Sequence, residues 1–505
     1  MAASERTPLL VNSVEQKSPD PTTPKSPTGT AEFSFKRVDR RKKFILVSMG
    51  FVNFCASCCF SLLAPFFPVE ASYKGASQSV VGLIFGVFEL VIFISSPIFG
   101  NYISKIGCKF MFVSGIMVCG SCAILFGTLD KGPDGTMFIV MCFLCRSIEA
   151  LGCSAFVTAL FAILAHEFPD SVITVMGSLE TFSGLGMMVG PPIGGALYEI
   201  GGYGLPFFVM GTVVILCGLL TTLVMPRIED NKRMFKGTIF TLLKSPMVLV
   251  TFLNISAGSI ALGFMDPTLA NHLLRFDLKT WIVGLMFLIA PAVYAFTAPV
   301  WGYIGDQKGI VRLMIGGGNL FAVLAWLLLG PAPFLTFIPN TLYINIISLS
   351  MIGLGIGCSL IPTFKALLIG ANSLGLPNDL DTYGKVSGFF NSSFSFGAFF
   401  GPTIGGVMVE KFGFPWASTG IAWMLCFGGG LMLIYICVVP NLPKLPEETP
   451  LDTNINIENA TVDSKILPSS DVETTLLNSN ENKYTIDKET PIDQHAIQNK
   501  SDCEV

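Results

Sequence analysis

An all-α membrane protein, with twelve transmembrane helices in two six-helix bundles, is the fold class this sequence predicts. Three observations predict it. Only 13% of the 505 residues carry a formal charge while 51% are hydrophobic. A soluble protein has roughly a quarter of its residues charged, so this chain cannot cover a water-facing surface. Apolar runs of about 20 residues, enough to cross a bilayer, recur along its length. A glycine–proline pattern in the fifth run returns in the eleventh. A soluble enzyme, a disordered chain and a nucleic-acid-binding protein are excluded by the same composition.

In chain order, residues 1–43 form a cytosolic tail with nine Lys/Arg against five Asp/Glu. Being rich in Ser, Thr and Pro, it is expected to be disordered. Six spans follow, near 44–67, 79–103, 109–129, 136–162, 172–197 and 206–226, making an N-terminal bundle over 44–226. Each should be helical, because in hydrocarbon the backbone must satisfy its own hydrogen bonds. A basic cytosolic linker covers 227–246. The second bundle, 247–439, has spans near 247–272, 281–304, 310–330, 341–364, 386–409 and 415–439. The tail 440–505 carries thirteen acids against five bases and is also expected to be disordered. It largely sets the pI of 5.6, which therefore says little about substrate.

Lys and Arg in the short loops set orientation. With the N-terminus in the cytosol, that side holds Lys36 to Lys43, Lys105, Lys109, Arg227, Lys232, Arg233, Lys236, Lys244, Lys308, Arg312, Lys365 and Lys385. The other side holds Lys74, Lys131, Arg275, Lys279 and Lys411, a split of 17 to 5. Both termini are accordingly read as cytosolic. No cleaved signal peptide is visible.

The repeat fixes the two-bundle reading. Gly177, Gly186, Gly190, Pro191, Gly194 and Gly195 recur as Gly388, Gly397, Gly401, Pro402, Gly405 and Gly406, all offset by 211 residues. Any one of these glycines could simply serve close helix packing, but chance does not explain six together. A second pair agrees: Gly100-Asn-Tyr-Ile-Ser-Lys-Ile-Gly107 resembles Gly302-Tyr-Ile-Gly-Asp-Gln-Lys-Gly309.

On these residues the chain, over about 40–440, resembles the major facilitator superfamily, in which two six-helix bundles rock around a midplane site. The Gly177–Gly195 pattern looks like that superfamily's antiporter motif. Its implied role is to seal the cavity against leak during switching. The loop pattern resembles its cytosolic gate, with Gly100, Lys105, Gly107 and Lys109 in the first half and Gly302, Asp306 and Gly309 in the second. The first half has Ser104 where the family has Asp, so an asymmetric gate is expected. Val189-Gly-Pro-Pro-Ile-Gly-Gly-Ala-Leu-Tyr-Glu199 and Gly413-Phe-Pro-Trp-Ala417 resemble the vesicular amine transporter family. Its monoamine and acetylcholine members carry acids in spans one, ten and eleven; Ala56, Gly357 and Asn391 stand there instead. Gly177-Ser-Leu-Glu-Thr-Phe-Ser-Gly184 and Gly263-Phe-Met-Asp-Pro-Thr-Leu269 resemble the family's polyamine branch. Ile84-Phe-Gly, Phe99-Gly-Asn-Tyr102, Lys109-Phe-Met-Phe-Val113 and Ile361-Pro-Thr-Phe364 match it too. The resemblance implies a monomeric carrier of secretory, synaptic-type or endolysosomal vesicles, driven by a proton gradient without other cofactor.

The buried charges reach a cationic substrate independently. Glu89, Arg146, Glu149, Glu180 and Asp266 lie well inside predicted spans. Each costs roughly 2.5–3.5 kcal/mol or more there and should face a cavity or partner. Four acids and one base suit an organic cation or protons rather than an anion or neutral sugar. Arg146 and Glu149, three apart on one helix face, either pair with each other or meet substrate. Glu89, Glu180 and Asp266 are candidates for binding a long di- or polyamine and for carrying protons. Phe88, Phe182, Tyr294 and Phe394 either add cation–π contacts or pack the core.

Fourteen Cys include Cys55/Cys58, Cys119/Cys122 and Cys142/Cys145 at redox or metal spacing, but with three His in the chain they read as apolar packing and no metal is expected. Glu5-Arg-Thr-Pro-Leu9-Leu10 fits an acidic dileucine signal for sorting adaptors, whereas Glu473-Thr-Thr-Leu476-Leu477 is one residue short. The sequon Asn459-Ala-Thr461, in the cytosolic tail, is expected to go unused. Competing readings are a broader organic cation or drug exporter, and a membrane sensor that binds without moving its ligand.

Overall fold

The computed structural model describes residues 40–225 and 239–440, apart from 279, 332–333, 336 and 338. The sorting signal Glu5, Leu9, Leu10, most of the two tails and residues 227–238 of the linker lie outside the described residues. The first half is built from α1 (Arg40–Ser61), α2 (Phe67–Tyr73), α3 (Gln78–Ile106), α4 (Cys108–Phe126), α5 (Thr136–Glu167), α6 (Val172–Gly201) and α7 (Gly204–Val224). A 3-10 turn over Ile239–Lys244 leads into the second half. That half comprises α8 (Pro246–Leu273), α9 (Thr280–Lys308), α10 (Val311–Leu329), α11 (Leu342–Leu360), α12 (Thr363–Asn372), α13 (Leu380–Phe412) and α14 (Phe414–Val438).

Eleven helical segments among the described residues are long and apolar enough to span a membrane. The remaining expected span, 386–409, lies in α13, a 33-residue helix carrying Asp381, Lys385, Asn391 and several serines. It falls short in apolarity because one face meets other helices rather than lipid. Two expected spans are interrupted: α1 gives way to α2 around Pro65, and α11 to α12 at Pro362. Proline removes a backbone donor and disfavours helix in the residue before it.

Within the first half α1 packs on α6 and α7, α4 on α5 and α7, and α3 on α5; within the second, α8 packs on α13 and α14, and α10 on α11 and α14. Across the halves α3 meets α13, α6 meets α9, and α5 meets α13. The glycine pattern divides between these two kinds of contact. A Cβ at Gly186 would stand 2.5 Å from the Phe54 carbonyl oxygen, and one at Gly190 2.7 Å from that of Cys58. Gly397 and Gly401 meet the carbonyls of Ser256 and Ile260, each at 2.7 Å. These glycines let α6 close on α1 and α13 close on α8, backbone to backbone. The leading glycine of each copy points the other way: Gly177 abuts Ala298 of α9, and Gly388 abuts Ser96 of α3. Gly195 and Gly406 have nothing within 4 Å of a Cβ, so they do not share the packing role of the others.

Both loop patterns end on a glycine with positive φ, Gly107 at 90° and Gly309 at 62°. L-residues avoid that region, so glycine stops α3 and α9 where the chain must turn into the next helix.

Candidate substrate site and gate

Glu180 lies on α6 three residues beyond the Gly177 crossing, and there the two halves touch through polar groups. Tyr294 of α9 donates its hydroxyl to Glu180 Oε2 at 3.2 Å. One residue on, Thr181 Oγ1 donates to the Ala295 carbonyl at 2.8 Å. A cavity opens beside the carboxylate, lined by Phe161, Met176, Glu180, Tyr294, Ile361 and Phe390 among others. The cavity, about 10 Å³, has room for about one water and none for an organic cation. Phe161, Phe364 and Phe390, from α5, α12 and α13, stand mutually edge-on at 5.6–6.1 Å. Contributed by both halves, they form an aromatic floor under the acid.

The second crossing, α3 on α13, is a polar seam. Glu89 of α3 lies across from Ser395 of α13. Ser392 donates to the Phe93 carbonyl at 2.8 Å, and Asn391 Nδ2 to Ser96 Oγ at 2.8 Å. Ser96 in turn shares a 2.8 Å hydrogen bond with Ser154 of α5. Small hydroxyls thus satisfy one another where large apolar side chains would hold the helices apart.

Arg146 and Glu149 form an ion pair, Nη1 to Oε2 at 2.8 Å, with the arginine 1% exposed. Four rings surround the guanidinium: Phe88 at 4.7 Å, Phe60 at 5.5 Å, Phe126 at 5.9 Å and Phe85 at 6.0 Å. Arg146 Nε and Nη2 have no hydrogen-bond partner among the described residues, and the π faces take that place. Of the two sequence readings, the structure has the pair. Phe88, a candidate for substrate contact, faces Arg146; Phe182 lies against Gly50, and Phe394 packs on the core. Asp266 sits in α8, and its side chain lies outside the described residues.

Toward the end of the bundles that carries Gly107 and Gly309, the halves are closed by two unequal latches. In one, Asp306 of α9 reaches the N-terminus of α6: its Oδ2 accepts from the Thr174 amide and hydroxyl, both at 2.7 Å. Oδ1 pairs with Lys365 at 3.0 Å and accepts from the Ile173 amide at 3.4 Å. An anion belongs there, because unsatisfied amides and the helix dipole make a helix N-terminus positive. In the other latch Ser104 of α3 donates to Asp381 of α13, which also pairs with Lys385. The expected asymmetry is present, but the carboxylate is not lost: it stands on the facing helix. Lys365, partly buried, and Lys385, buried, were counted above as loop charges and are latch members. Lys105 and Lys109 are exposed, Lys105 lying 5.0 Å over the Tyr102 ring, so neither joins the gate. Gly100 lies against the Gly384 carbonyl, and Gly302 against the Thr174 backbone, completing both closures.

Sequence reasoning placed Glu180, Arg146, Glu149, Glu89 and Asp306 but missed Asp381, Ser96, Ser154 and Ser395. Their hydrogen-bonding type was visible; their partners lie on helices far apart in sequence.

Two helical halves meeting at paired crossings match what a comparison of families finds: residues 49–375 fit the profile of the Major Facilitator Superfamily. The chain belongs to that superfamily. It is 42% identical over 414 residues to the MFS-type transporter SLC18B1 of Homo sapiens, covering 81% of this chain and 90% of that one. The Mus musculus counterpart is 41% identical over 415 residues, with the same coverage. The human chromaffin granule amine transporter is 24% identical over 384 residues, covering 73% of this chain and 66% of that one. Its close homologues are therefore MFS-type transporters related to vesicular amine transporters. Among solved structures, a bacterial homologue of the iron transporter ferroportin in an outward-facing state has a TM-score of 0.65 at 12% identity, covering 79% of this chain and 100% of that one. The human organic anion transporter MFSD10 reaches 0.63 at 15%, covering 77% and 99%. Both share the fold.

Proposed function

We propose that this superfamily member is a proton-coupled antiporter that moves organic cations, chiefly polyamines such as spermine and spermidine, from the cytosol into acidic vesicles. The observation that carries the reading is Glu180, a carboxylate at the crossing of the two halves, lining the cavity over the aromatic floor. One acid in one cavity can hold either a proton or an ammonium group. Exclusive occupancy, offered alternately to the two sides, is antiport. The relatives named as amine transporters support a vesicular organic-cation cargo. The Lys/Arg distribution supports a cytosolic gate end, and the dileucine-like Glu5–Leu10 segment supports adaptor-mediated sorting of a monomeric carrier.

The test is uptake of radiolabelled spermidine into vesicles with an imposed pH gradient, inside acid. Glu180→Gln should abolish gradient-driven accumulation, and Asp266→Asn should do the same if the α8 acid shares the work. Full activity in both variants would sink the assignment. Saturable binding of spermidine without accumulation in the native protein would favour a sensor.

A further inference from the structure

One histidine ties three helices together at the end of the second half that lies away from the gate. His272, in the last turn of α8 and beyond its apolar stretch Pro246–Met265, is 2% exposed. Its ring stacks on Phe414 at the start of α14, with centroids 3.9 Å apart and planes 26° from parallel. Nε2 lies 3.0 Å from Asn345 Oδ1 of α11. Nδ1 lies 3.0 Å from Arg275 Nη2, in the 3-10 turn Leu274–Phe276 that leaves α8. Arg275 Nε also donates to the His272 carbonyl at 2.9 Å, so one guanidinium closes both the ring and the end of the helix. An arginine only donates; Nδ1 therefore accepts, and Nε2 carries the proton that goes to Asn345. The Asn345 amide is fixed in turn, since its Nδ2 donates to Asn340 Oδ1 at 3.0 Å and to the Thr341 carbonyl at 2.9 Å. From α10 the ring meets the Leu329 backbone, and Arg275 is the charged group that faces it.

From this geometry we infer that His272 and Arg275 form a switch worked by acid on the side of the membrane away from the gate: the neutral ring clamps Arg275, and protonation frees it. The acidity of that side rests on the antiport reading above. Nδ1 is the ring nitrogen left for a second proton, and it is the one Arg275 occupies. With that proton in place, two donors and two like charges face each other over 3.0 Å. The ring is held inside the bundle by Asn345 and Phe414, whereas Arg275 is exposed, so the arginine is the partner that leaves. The clamp belongs to the neutral ring alone: it holds at neutral pH and is lost as pH falls through the titration of His272. Arg275 sits just ahead of α9, the helix that brings Tyr294 to Glu180 of the first half. Freeing the α8–α9 connection loosens that crossing helix at its far end and favours opening toward an acid compartment. Toward a neutral compartment the connection stays clamped.

The experiment compares native protein, His272→Gln and Arg275→Gln. Glutamine at 272 offers a donor and an acceptor, as the neutral ring does, but cannot titrate. Spermidine uptake into vesicles is followed as the internal pH is lowered from about 7 to about 5.5, within the range where a histidine changes charge. Native uptake is divided by that of each variant at the same gradient, which cancels the driving force and the titration of Glu180. The ratio of native to His272→Gln should rise about three- to tenfold per pH unit, tenfold being about the limit for one proton. The ratio of native to Arg275→Gln, a variant without the clamp, should climb from well below one toward one. Ratios that stay level with pH overturn the switch. If His272→Gln fails to fold, the Arg275→Gln ratio decides: a level one overturns the inference and a climbing one upholds it. Absence of gradient-driven uptake by the native protein defeats the antiport reading instead, and the clamp is then judged by NMR of histidine-labelled protein. The chain has three His, which keeps that spectrum assignable by substitution. The Nε2-protonated neutral ring of His272 should persist to lower pH in native protein than in Arg275→Gln, and coincident titrations overturn the clamp.

Discussion

Asp306→Asn is the sharpest perturbation of the closed state, because one carboxylate there holds four donors from the opposite half and from its own. Oδ2 takes the Thr174 amide and hydroxyl, and Oδ1 takes Lys365 and the Ile173 amide. An asparagine has one acceptor where the site needs two. Its amide nitrogen must face either Thr174 or Lys365, setting donor against donor. The Asp306 side chain is 4% exposed and that of Lys365 14%, so water compensates little. Hydrogen bonds to a charged group are worth roughly 1.5–3 kcal/mol against about 1 for neutral ones, and a buried charge left unpaired costs more. Part of this loss falls on Lys365 in the open form too, so roughly 2–4 kcal/mol is expected to bear on closure. That shifts the open-to-closed ratio about 30- to 1,000-fold. The assay is double electron–electron resonance with labels at Asp170 and Lys308, exposed positions on either side of this latch. Asp306→Asn should lengthen the distance between them. Adding Lys365→Met should change it by less than the two single effects summed, because the residues share one pair. A distance distribution identical to that of the native protein would refute the latch.

The glycine stripes make separable predictions. Gly397→Ala, which sets a methyl against the Ser256 carbonyl, should lower thermal stability in detergent by several degrees. Gly388→Ala should chiefly disfavour closure of the α3–α13 crossing in the same resonance assay. Gly195→Ala, facing open space, should be neutral or slightly stabilising, since alanine is the better helix former by about 1 kcal/mol. For the caged pair, Glu149→Gln should destabilise by about 3–5 kcal/mol by leaving Arg146 charged and buried, while Arg146→Met with Glu149→Leu should cost much less. Equal melting temperatures for those two variants would contradict the ion pair.

The spans were legible in the sequence because the demand that hydrocarbon makes on the backbone is local: each twenty-residue stretch must satisfy itself. The glycine pattern was legible for a related reason, since close backbone approach leaves a mark at fixed spacing whichever helix approaches. What approaches was not. Gly177 and Gly186 read alike in sequence, yet one serves the crossing between halves and the other the packing of α6 on α1. Gly195 belongs to the same pattern and touches nothing. Buried charges were found by their cost, but their partners were found only where they were near in sequence, as with Arg146 and Glu149. Tyr294 lies 114 residues from Glu180, and Asp381 lies 277 from Ser104. No periodicity connects such pairs. Lys385 shows the converse error: a lysine beside an apolar run reads as a loop charge, whereas a helix extended by two turns buries it against Asp381.

The two copies agree in backbone and disagree in chemistry, and both facts bear on mechanism. Positive-φ glycines end α3 and α9 alike, and glycine stripes seat α6 on α1 and α13 on α8 alike. Under the proposed antiport, two halves that rock about a common site need matched hinges, or one crossing would open before the other. The charged groups are under the opposite demand. At the gate, Asp306 caps α6 from α9, whereas Asp381 sits on α13 and takes its donor from α3. Each crossing keeps one gate carboxylate, and the second half supplies both, from α9 in one case and from α13 in the other. Symmetric hinges with asymmetric charge let the two crossings close alike while each latch keeps its own carboxylate and its own donors.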